Sequence, residues 1–145
     1  KIGIPDSIIN KPGRLTPDEF QKIKRHPLVS LKIVESLIVT NPGIRHVKSH
    51  HERYDGLGYP DNISGEDIPL EARIMAVADS FDAMTTTRPY RAAMSREEAT
   101  EEVRRNMGTQ FCPVVAAAFI ELISTMSDDL YRLINECPAE QVPVI

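Results

Sequence analysis

Two adjacent histidines begin the segment of this chain best suited to chemistry. His50 and His51 are followed by Asp55-Gly56-Leu57-Gly58-Tyr59-Pro60. Neighbouring helical positions point about 100° apart, so such a pair suits two ions of a cluster better than one tetrahedral ion. The glycines let backbone approach a ligand closely, and the proline fixes the shape of the loop. The segment therefore favours a metal and ligand site.

A second group of candidate residues follows about thirty positions later. Asp79 and Asp82 are three residues apart, and so are Arg88 and Arg91. The two aspartates would share a helix face. The residues around the aspartates are apolar, so we expect a cation to compensate their charge. Paired guanidinium groups can bind phosphate oxygens, although solvated aspartates and surface ion pairs are the alternatives that these residues leave open.

Imidazoles, carboxylates and cationic groups together indicate metal-assisted hydrolysis of a phosphoester. Bridged ions lower the pKa of a water, orient the phosphorus and stabilise the leaving oxygen. A structural zinc site is disfavoured because no cysteine belongs to the group. Cys112 and Cys137 are far apart in the sequence, and we interpret them as reduced thiols. Composition and spacing go no further than this class of reaction.

The elements that must position these residues are helices, and the predicted fold class is all-α. Capping boxes occur at Thr16-Pro17-Asp18-Glu19 and at Ser95-Arg96-Glu97-Glu98. Three glycines and two prolines make residues 55–69 an ordered loop. Gly108 is the expected C-cap of the helix after Ser95. Further helices are expected from Pro27, from about Ile44 to His51, from about Leu70, from Pro113 and after Ser127.

Length and charge restrict the class of protein. A chain of 145 residues fits one domain, and its 41% hydrophobic content is ordinary for a soluble protein. A formal net charge of -4 argues against a general surface for DNA or RNA. No apolar run approaches the roughly 18 residues of a membrane span, and no signal peptide opens the chain. We expect a cytoplasmic protein without membrane insertion.

The chain resembles the HD-GYP family throughout residues 1 to 123. The family consists of all-helical hydrolases of the HD superfamily that degrade cyclic di-GMP, a bacterial second messenger used in signal transduction. The resemblance implies two or three iron or manganese ions. The similar blocks, in the order of the family, are residues 1–5, 15–17, 24–27, 50–60, 68–74, 78–79 and 88–91.

The resemblance also implies metal ligands. His26 resembles the central metal histidine of the family, His50 and His51 resemble its adjacent pair, and Asp79 resembles its late metal aspartate. His46 lies four residues before His50 but matches no ligand. We therefore expect it to be an ordinary side chain.

The remaining site residues are also implied by the resemblance. Lys1 stands at the lysine of the His-Asp-x-x-Lys element and would contact the bridging water and a phosphate. Asp82 would position the water or protonate the leaving group. Gly58 and Tyr59 would shape the substrate pocket. Arg88 would contact phosphate or guanine, and Arg91 stands where the family often has Lys or Arg.

Two departures from the family pattern stand out. The defining His-Asp pair would precede Lys1, so we expect residues 1–137 to be an N-terminally truncated HD-GYP domain and 138–145 a tail. An N-terminal sensory or receiver domain is expected upstream, and a homodimer is compatible with the pattern. Cys112 replaces a residue that is usually acidic in the family, which we interpret as local variation at a helix start.

Three functional hypotheses are compatible with this pattern. The first is hydrolysis of cyclic di-GMP to linear pGpG or to GMP. The second is a degenerate, non-catalytic module that binds a nucleotide or a partner protein. The third is an HD hydrolase of another cyclic dinucleotide, because arginines that bind phosphate do not read the bases. The residues before Lys1 discriminate the first two, and a substrate panel discriminates the third.

Overall fold

The computed structural model describes residues 3–37, 44–87 and 92–136, with side chains in 3–34, 46–87 and 92–132. These residues form helices joined by loops, and no strand occurs among them. The predicted all-α class is therefore confirmed. The helices are α1 (Asp6–Ile9), α2 (Pro17–Ile23), α3 (His26–Leu37), α4 (Ile44–Ser49), α5 (Leu70–Thr85), α6 (Arg96–Arg105), α7 (Pro113–Thr125) and α8 (Asp128–Glu136), with a 3-10 turn at Gly65–Asp67.

Both predicted capping boxes are present. The Thr16 hydroxyl accepts the N–H of Glu19, and the Glu19 carboxylate accepts the N–H of Thr16 at 2.7 Å. Ser95 and Glu98 make the same reciprocal pair at the start of α6. These bonds satisfy backbone N–H groups that have no partner inside the helix, so local sequence sets where α2 and α6 begin.

Two predicted helix ends are wrong. Helix α4 ends at Ser49, so His50 and His51 lie in the turn after it. Helix α6 ends at Arg105, and its C-cap is Asn106 rather than Gly108. The Asn106 amide closes the last turn by donating to the Glu102 carbonyl at 2.9 Å. A polar side chain therefore stops the helix before the glycine is reached.

The apolar core lies where α5, α6 and α7 meet. Phe81 of α5 packs edge-on against Phe119 of α7, with ring centroids 5.1 Å apart. Helix α3 packs on α4, and α4 packs on α5, so α5 joins the histidine-bearing part of the chain to the core. The buried core residues are Val77, Phe81, Ala99, Val103, Phe111, Ala116 and Ile123.

Arg96 connects the start of α6 to the end of α7. Its guanidinium donates to the Ile123 carbonyl and, at 2.7 Å, to the Met126 carbonyl. It also pairs with Asp128 at 3.1 Å and lies 4.7 Å from the centroid of the Tyr131 ring. Carbonyls at the end of a helix lack partners within it, so one cation satisfies two of them and holds α8 nearby.

Cys112 lies in surroundings that favour a negative charge. It stands at the N-cap of α7, and its sulfur accepts a hydrogen bond from Arg73 Nη1 at 3.5 Å. Burial opposes ionisation of this thiol, but the N–H of Val115 and the Arg73 guanidinium outweigh it, and the pKa lies below its usual value. Arg73 Nε is itself buried without a hydrogen-bond partner among the described residues.

We therefore expect Cys112→Asp to stabilise the protein. A carboxylate at the N-cap accepts helix N–H groups and gives Arg73 a stronger partner, for a gain of about 1 kcal/mol in the free energy of unfolding. Urea denaturation of the wild type, Cys112→Asp and Cys112→Ala measures the effect. The alanine control is expected to be less stable than the wild type. An aspartate variant that unfolds at lower urea than the wild type would show that burial of the charge dominates.

Within the described ranges, no helix is both long enough and apolar enough to cross a membrane.

Candidate metal centre

Three histidines from two parts of the chain meet in one cluster. His26 begins α3 and is buried, with 4% of its surface exposed, while His50 and His51 come directly after α4. One ligand nitrogen from each lies within 4.8 Å of the others. The Nε2 atoms of His26 and His51 are 3.1 Å apart. Packing of α3 on α4 brings these side chains together across the chain.

Backbone carbonyls orient two of the rings. Nδ1 of His26 donates to the carbonyl of Ile23, and Nδ1 of His50 donates to the carbonyl of Val47, each at 2.7 Å. Because a carbonyl can only accept, the proton of each neutral imidazole lies on Nδ1, and the lone pair that would bind a metal lies on Nε2. Histidine ligands commonly have such a partner on the second nitrogen.

The adjacent histidines point the same way, contrary to the expectation from helical geometry. Their ring centroids are 4.1 Å apart. The separation of about 100° applies only within a helix, and the chain leaves α4 at Ser49, before both residues. Helical geometry therefore gives no reason to assign the two rings to separate ions, and their arrangement allows both to serve one centre.

Glu52 fixes the loop that comes after the histidines. Its side chain is buried, and Oε1 accepts the N–H of Asp61 at 2.6 Å and of Asn62 at 3.1 Å. Burial raises the pKa of Glu52, and these two bonds oppose the rise. Sequence reasoning assigned it no role, although it stands next to the histidine pair. The sequence pattern does not reveal a carboxylate whose partner is the backbone N–H of a residue nine positions later.

The other end of the loop is anchored to the connection between α6 and α7. The N–H of Tyr54 donates to the Gln110 carbonyl at 3.2 Å, and that of Asp55 donates to the Thr109 carbonyl at 2.8 Å. Arg53 binds the Asp55 carboxylate through two nitrogens, at 2.5 and 3.0 Å. The Gly- and Pro-rich segment is therefore an ordered loop, as the sequence predicts.

Gly58 is placed where no side chain fits. A Cβ built on it would lie 2.3 Å from the Arg53 nitrogen and 2.5 Å from the Glu52 Cα. Both are backbone atoms, which cannot move aside by a rotamer change. The close approach lets the next residue, Tyr59, donate its N–H to the His51 carbonyl at 3.2 Å. Gly58 therefore sets the position of Tyr59 against the cluster.

Tyr59 covers one histidine of the cluster. Its ring stacks on His51, with centroids 4.9 Å apart and planes 28° from parallel. Burial, with a smaller contribution from the negative charge of Asp79, raises the pKa of Tyr59 to about 12. The phenol therefore keeps its proton at neutral pH and can donate a hydrogen bond to a ligand.

Asp79 and Asp82 share one face of α5, as their spacing predicts, but both are exposed. The apolar surroundings expected from the flanking residues are therefore not found, because Val77 and Phe81 point to the core and the aspartates do not. Among the described residues, the three histidines alone have ligand atoms close enough together to hold a metal ion. The structure therefore does not bring Asp79 within ligand distance of them. His46 is also outside this group.

Three predicted site residues lie outside the described ranges. These are Lys1, Arg88 and Arg91. Their roles stay predictions based on the family resemblance.

The donor set fits a divalent metal ion. Neutral imidazole nitrogens suit zinc, copper, iron and nickel, and carboxylate oxygens suit magnesium and manganese. Two of the three histidines already have their second nitrogen bonded to a carbonyl, as histidine ligands of metals commonly do. The chemistry of the donors therefore agrees with a metal centre held by His26, His50 and His51.

Comparisons with known proteins agree with the family resemblance seen in the sequence. The HD domain family, a group of metal-dependent phosphohydrolases, matches residues 1–115. The chain is 42% identical, over 91% of its length, to a cyclic di-GMP phosphodiesterase of Thermotoga maritima. It is 46% identical, over 78% of its length, to the cyclic di-GMP phosphodiesterase response regulator RpfG of Xanthomonas campestris pv. campestris.

A third relative has a different substrate in its name. A 3'3'-cGAMP-specific phosphodiesterase of Vibrio cholerae is 34% identical over 92% of the chain. The chain covers 36%, 30% and 29% of these three relatives, respectively. It therefore spans about a third of the length of the proteins it matches. The match over residues 1–115, together with the histidine cluster, shows that the chain belongs to the HD domain family and, within it, to the HD-GYP family.

Proposed function

We propose that the protein containing this chain hydrolyses the phosphodiester bonds of cyclic di-GMP in a metal-dependent reaction. The observation that supports this best is the convergence of His26, His50 and His51 on one point beside the ordered loop that carries Tyr59. Relatives 41–46% identical are named as cyclic di-GMP phosphodiesterases. The products are linear pGpG, and GMP if both bonds are cut.

His26, His50 and His51 would hold the metal. Asp79 lies outside the histidine group in the structure, and it is proposed as a further ligand because the family resemblance implies it. Two or three ions of iron or manganese are proposed, since the family resemblance implies them. When bound, such ions lower the pKa of water and stabilise charge on phosphate oxygens. The carbonyls of Ile23 and Val47 keep the proton on Nδ1 of His26 and His50, so that Nε2 is the nitrogen that would bind the metal.

The other residues position the substrate. Tyr59 remains protonated and can donate to a phosphate or a base, and Gly58 keeps the loop close to the cluster. Lys1, Arg88 and Arg91 are proposed to contact phosphate oxygens, because cationic donors stabilise negative charge in the transition state. Asp82 is exposed one helical turn after Asp79, where we propose that it orients water or protonates the leaving oxygen.

A second substrate is favoured by a specific finding. Three relatives 34–35% identical to the chain are named as 3'3'-cGAMP-specific phosphodiesterases. The two substrates differ in one base and share both phosphates, so a site built from histidines and cationic groups accepts the backbone of either. The higher identity of the cyclic di-GMP enzymes leads us to place cyclic di-GMP first.

The proposal extends to partners of the whole protein. One relative is named a response regulator. We propose that a sensory or receiver domain controls this domain, which acts in bacterial second-messenger signalling and binds no DNA.

A substrate panel tests the proposed function. The full-length protein is loaded anaerobically with Mn²⁺ or Fe²⁺ and incubated with cyclic di-GMP, 3'3'-cGAMP and cyclic di-AMP, and the products are separated by anion-exchange chromatography. We expect cyclic di-GMP to be cut fastest. A higher kcat/KM for 3'3'-cGAMP would change the assigned substrate, and binding of cyclic di-GMP without cleavage would indicate a non-catalytic module.

A further inference from the structure

A concave surface lies between the end of α2 and the loop that carries Tyr59. It encloses about 460 Å³, within the range of roughly 300–1,000 Å³ typical of ligand pockets. We call it the basic pocket. The lining residues that matter for its chemistry are Lys22, Lys24, Arg25, Gly58, Tyr59 and Asn62.

The basic pocket concentrates positive charge on a chain that is acidic as a whole. Three cationic side chains line it and no carboxylate does, whereas the formal net charge of the chain is -4. Lys22, Lys24 and Arg25 make no ion pair within the part of the chain that the structure describes. A concave site lined by one sign of charge attracts ligands of the opposite sign, so this pocket is suited to an anion.

Lys24 is positioned by aromatic rings. It is half-buried, and its Nζ lies 5.0 Å from the centroid of Phe20 and 5.6 Å from that of Tyr59. The two rings contact each other edge to face, with centroids 6.4 Å apart. The ring faces attract the ammonium through their π electrons, and no oxygen acceptor is involved in this contact. The three N–H donors of Lys24 therefore remain available to a ligand in the pocket.

The basic pocket and the histidine cluster share Tyr59 as a neighbour. Tyr59 lines the pocket and also stacks on His51. Along the chain, Lys24 and Arg25 directly precede His26. This adjacency is the geometric basis for a small ligand with one phosphate at the histidines and the other in the pocket.

We propose that the basic pocket binds the phosphate of a cyclic dinucleotide that is not being hydrolysed, with Lys24 and Arg25 as its donors. The inference rests on the proposed function and names a second subsite for the same substrate. A cyclic dinucleotide carries two phosphates in one ring, so while one is cut the charge of the other needs a cationic partner. An ammonium and a guanidinium are the usual donors to phosphate oxygens.

The test is steady-state hydrolysis of cyclic di-GMP by the full-length protein. Lys24→Gln, Arg25→Gln and the double variant are compared with Lys32→Gln, which removes an exposed lysine of α3 outside the pocket. Loss of one charge-assisted hydrogen bond corresponds to about tenfold in affinity or more. We expect KM to rise about tenfold in each single variant and further in the double variant, with kcat changed less than about threefold.

Two further readouts separate binding from a structural role. Salt should raise KM of the wild type more steeply than KM of the double variant, because fewer charges remain to be screened. Lys24→Arg should keep most of the affinity for cyclic di-GMP that Lys24→Gln loses. An unchanged KM in the double variant of an active enzyme would overturn the subsite and leave the proposed function standing. A fall in kcat alone, with a lower melting temperature, would also overturn it in favour of a structural role.

Direct binding decides the matter if the wild type cuts no cyclic dinucleotide. Isothermal titration of the full-length protein with cyclic di-GMP then tests the pocket independently of hydrolysis. Binding that is lost in the double variant and kept in Lys32→Gln supports the subsite. No binding to the wild type, or equal binding to the double variant, overturns it.

Discussion

Replacing any one of His26, His50 and His51 with alanine is expected to remove most of the bound metal from the full-length protein. Each substitution deletes one of three nitrogens that lie within 4.8 Å of one another. Loss of a residue that only supports a ligand already costs about 10- to 100-fold in metal affinity or activity. We therefore expect hydrolysis to fall by more than about 100-fold. Metal content is measured by inductively coupled plasma mass spectrometry after anaerobic purification.

His46→Ala is the matched control for these variants. His46 lies on α4, four residues before His50, but it is not part of the cluster. It should keep the metal content and the activity of the wild type. If His46→Ala lost as much metal as His51→Ala, the loss would reflect general damage to α4. Unchanged metal in all three cluster variants would remove the metal assignment.

Gly58→Ala should displace the loop and abolish most of the activity. Its Cβ would lie 2.3 Å from the Arg53 nitrogen, 2.5 Å from the Glu52 Cα and 2.7 Å from the Glu52 carbonyl carbon. Overpacking usually lowers the free energy of unfolding by about 1–3 kcal/mol. We expect a loss at the upper end of this range because the colliding atoms belong to the backbone and cannot move aside by a rotamer change. We expect the melting temperature of the domain to fall by roughly 10 °C. Thermal unfolding and the rate of cyclic di-GMP cleavage measure the two effects.

Gly65→Ala is the matched control in the same loop, because it introduces backbone strain without a collision between the new Cβ and other atoms. Gly65 has φ +58°, where a side chain is disfavoured, but a Cβ there meets no atom within 4 Å. The left-handed conformation alone costs about 1–2 kcal/mol. This variant should therefore lose stability while its active site keeps its shape, with nearly normal cleavage. Equal loss of activity in both glycine variants would mean that the collision at Gly58 is not what matters.

Local signals in the sequence determine most of the helices. The Thr16 and Ser95 capping boxes and the proline at the start of α7 locate helix starts because they act within a few residues. The ends of α4 and α6 depend instead on the contacts made by the residues just beyond each helix. The Asn106 side chain and the turn at His50 could not be inferred from periodicity, and both predicted ends were too late.

The histidine cluster could be predicted only in part. The His50-His51 pair and its glycine-rich continuation indicate metal and ligand chemistry from residue types alone. His26, 25 residues away from His51, is added by the family resemblance and then by the packing of α3 on α4. Glu52 acts through contacts within the loop, and the basic pocket is formed where the end of α2 meets that loop; spacing in the sequence encodes neither.

Metal removal and restoration test whether the site formed by His26, His50 and His51 makes the full-length protein a metal-dependent phosphodiesterase. The measurement is the initial rate of cyclic di-GMP cleavage in the purified protein, after chelation, and after Mn²⁺ or Fe²⁺ is returned anaerobically. We predict that chelation abolishes cleavage and that the metal restores it in the wild type but not in His51→Ala. Cleavage that persists in the chelated protein would show that the reaction does not depend on the metal.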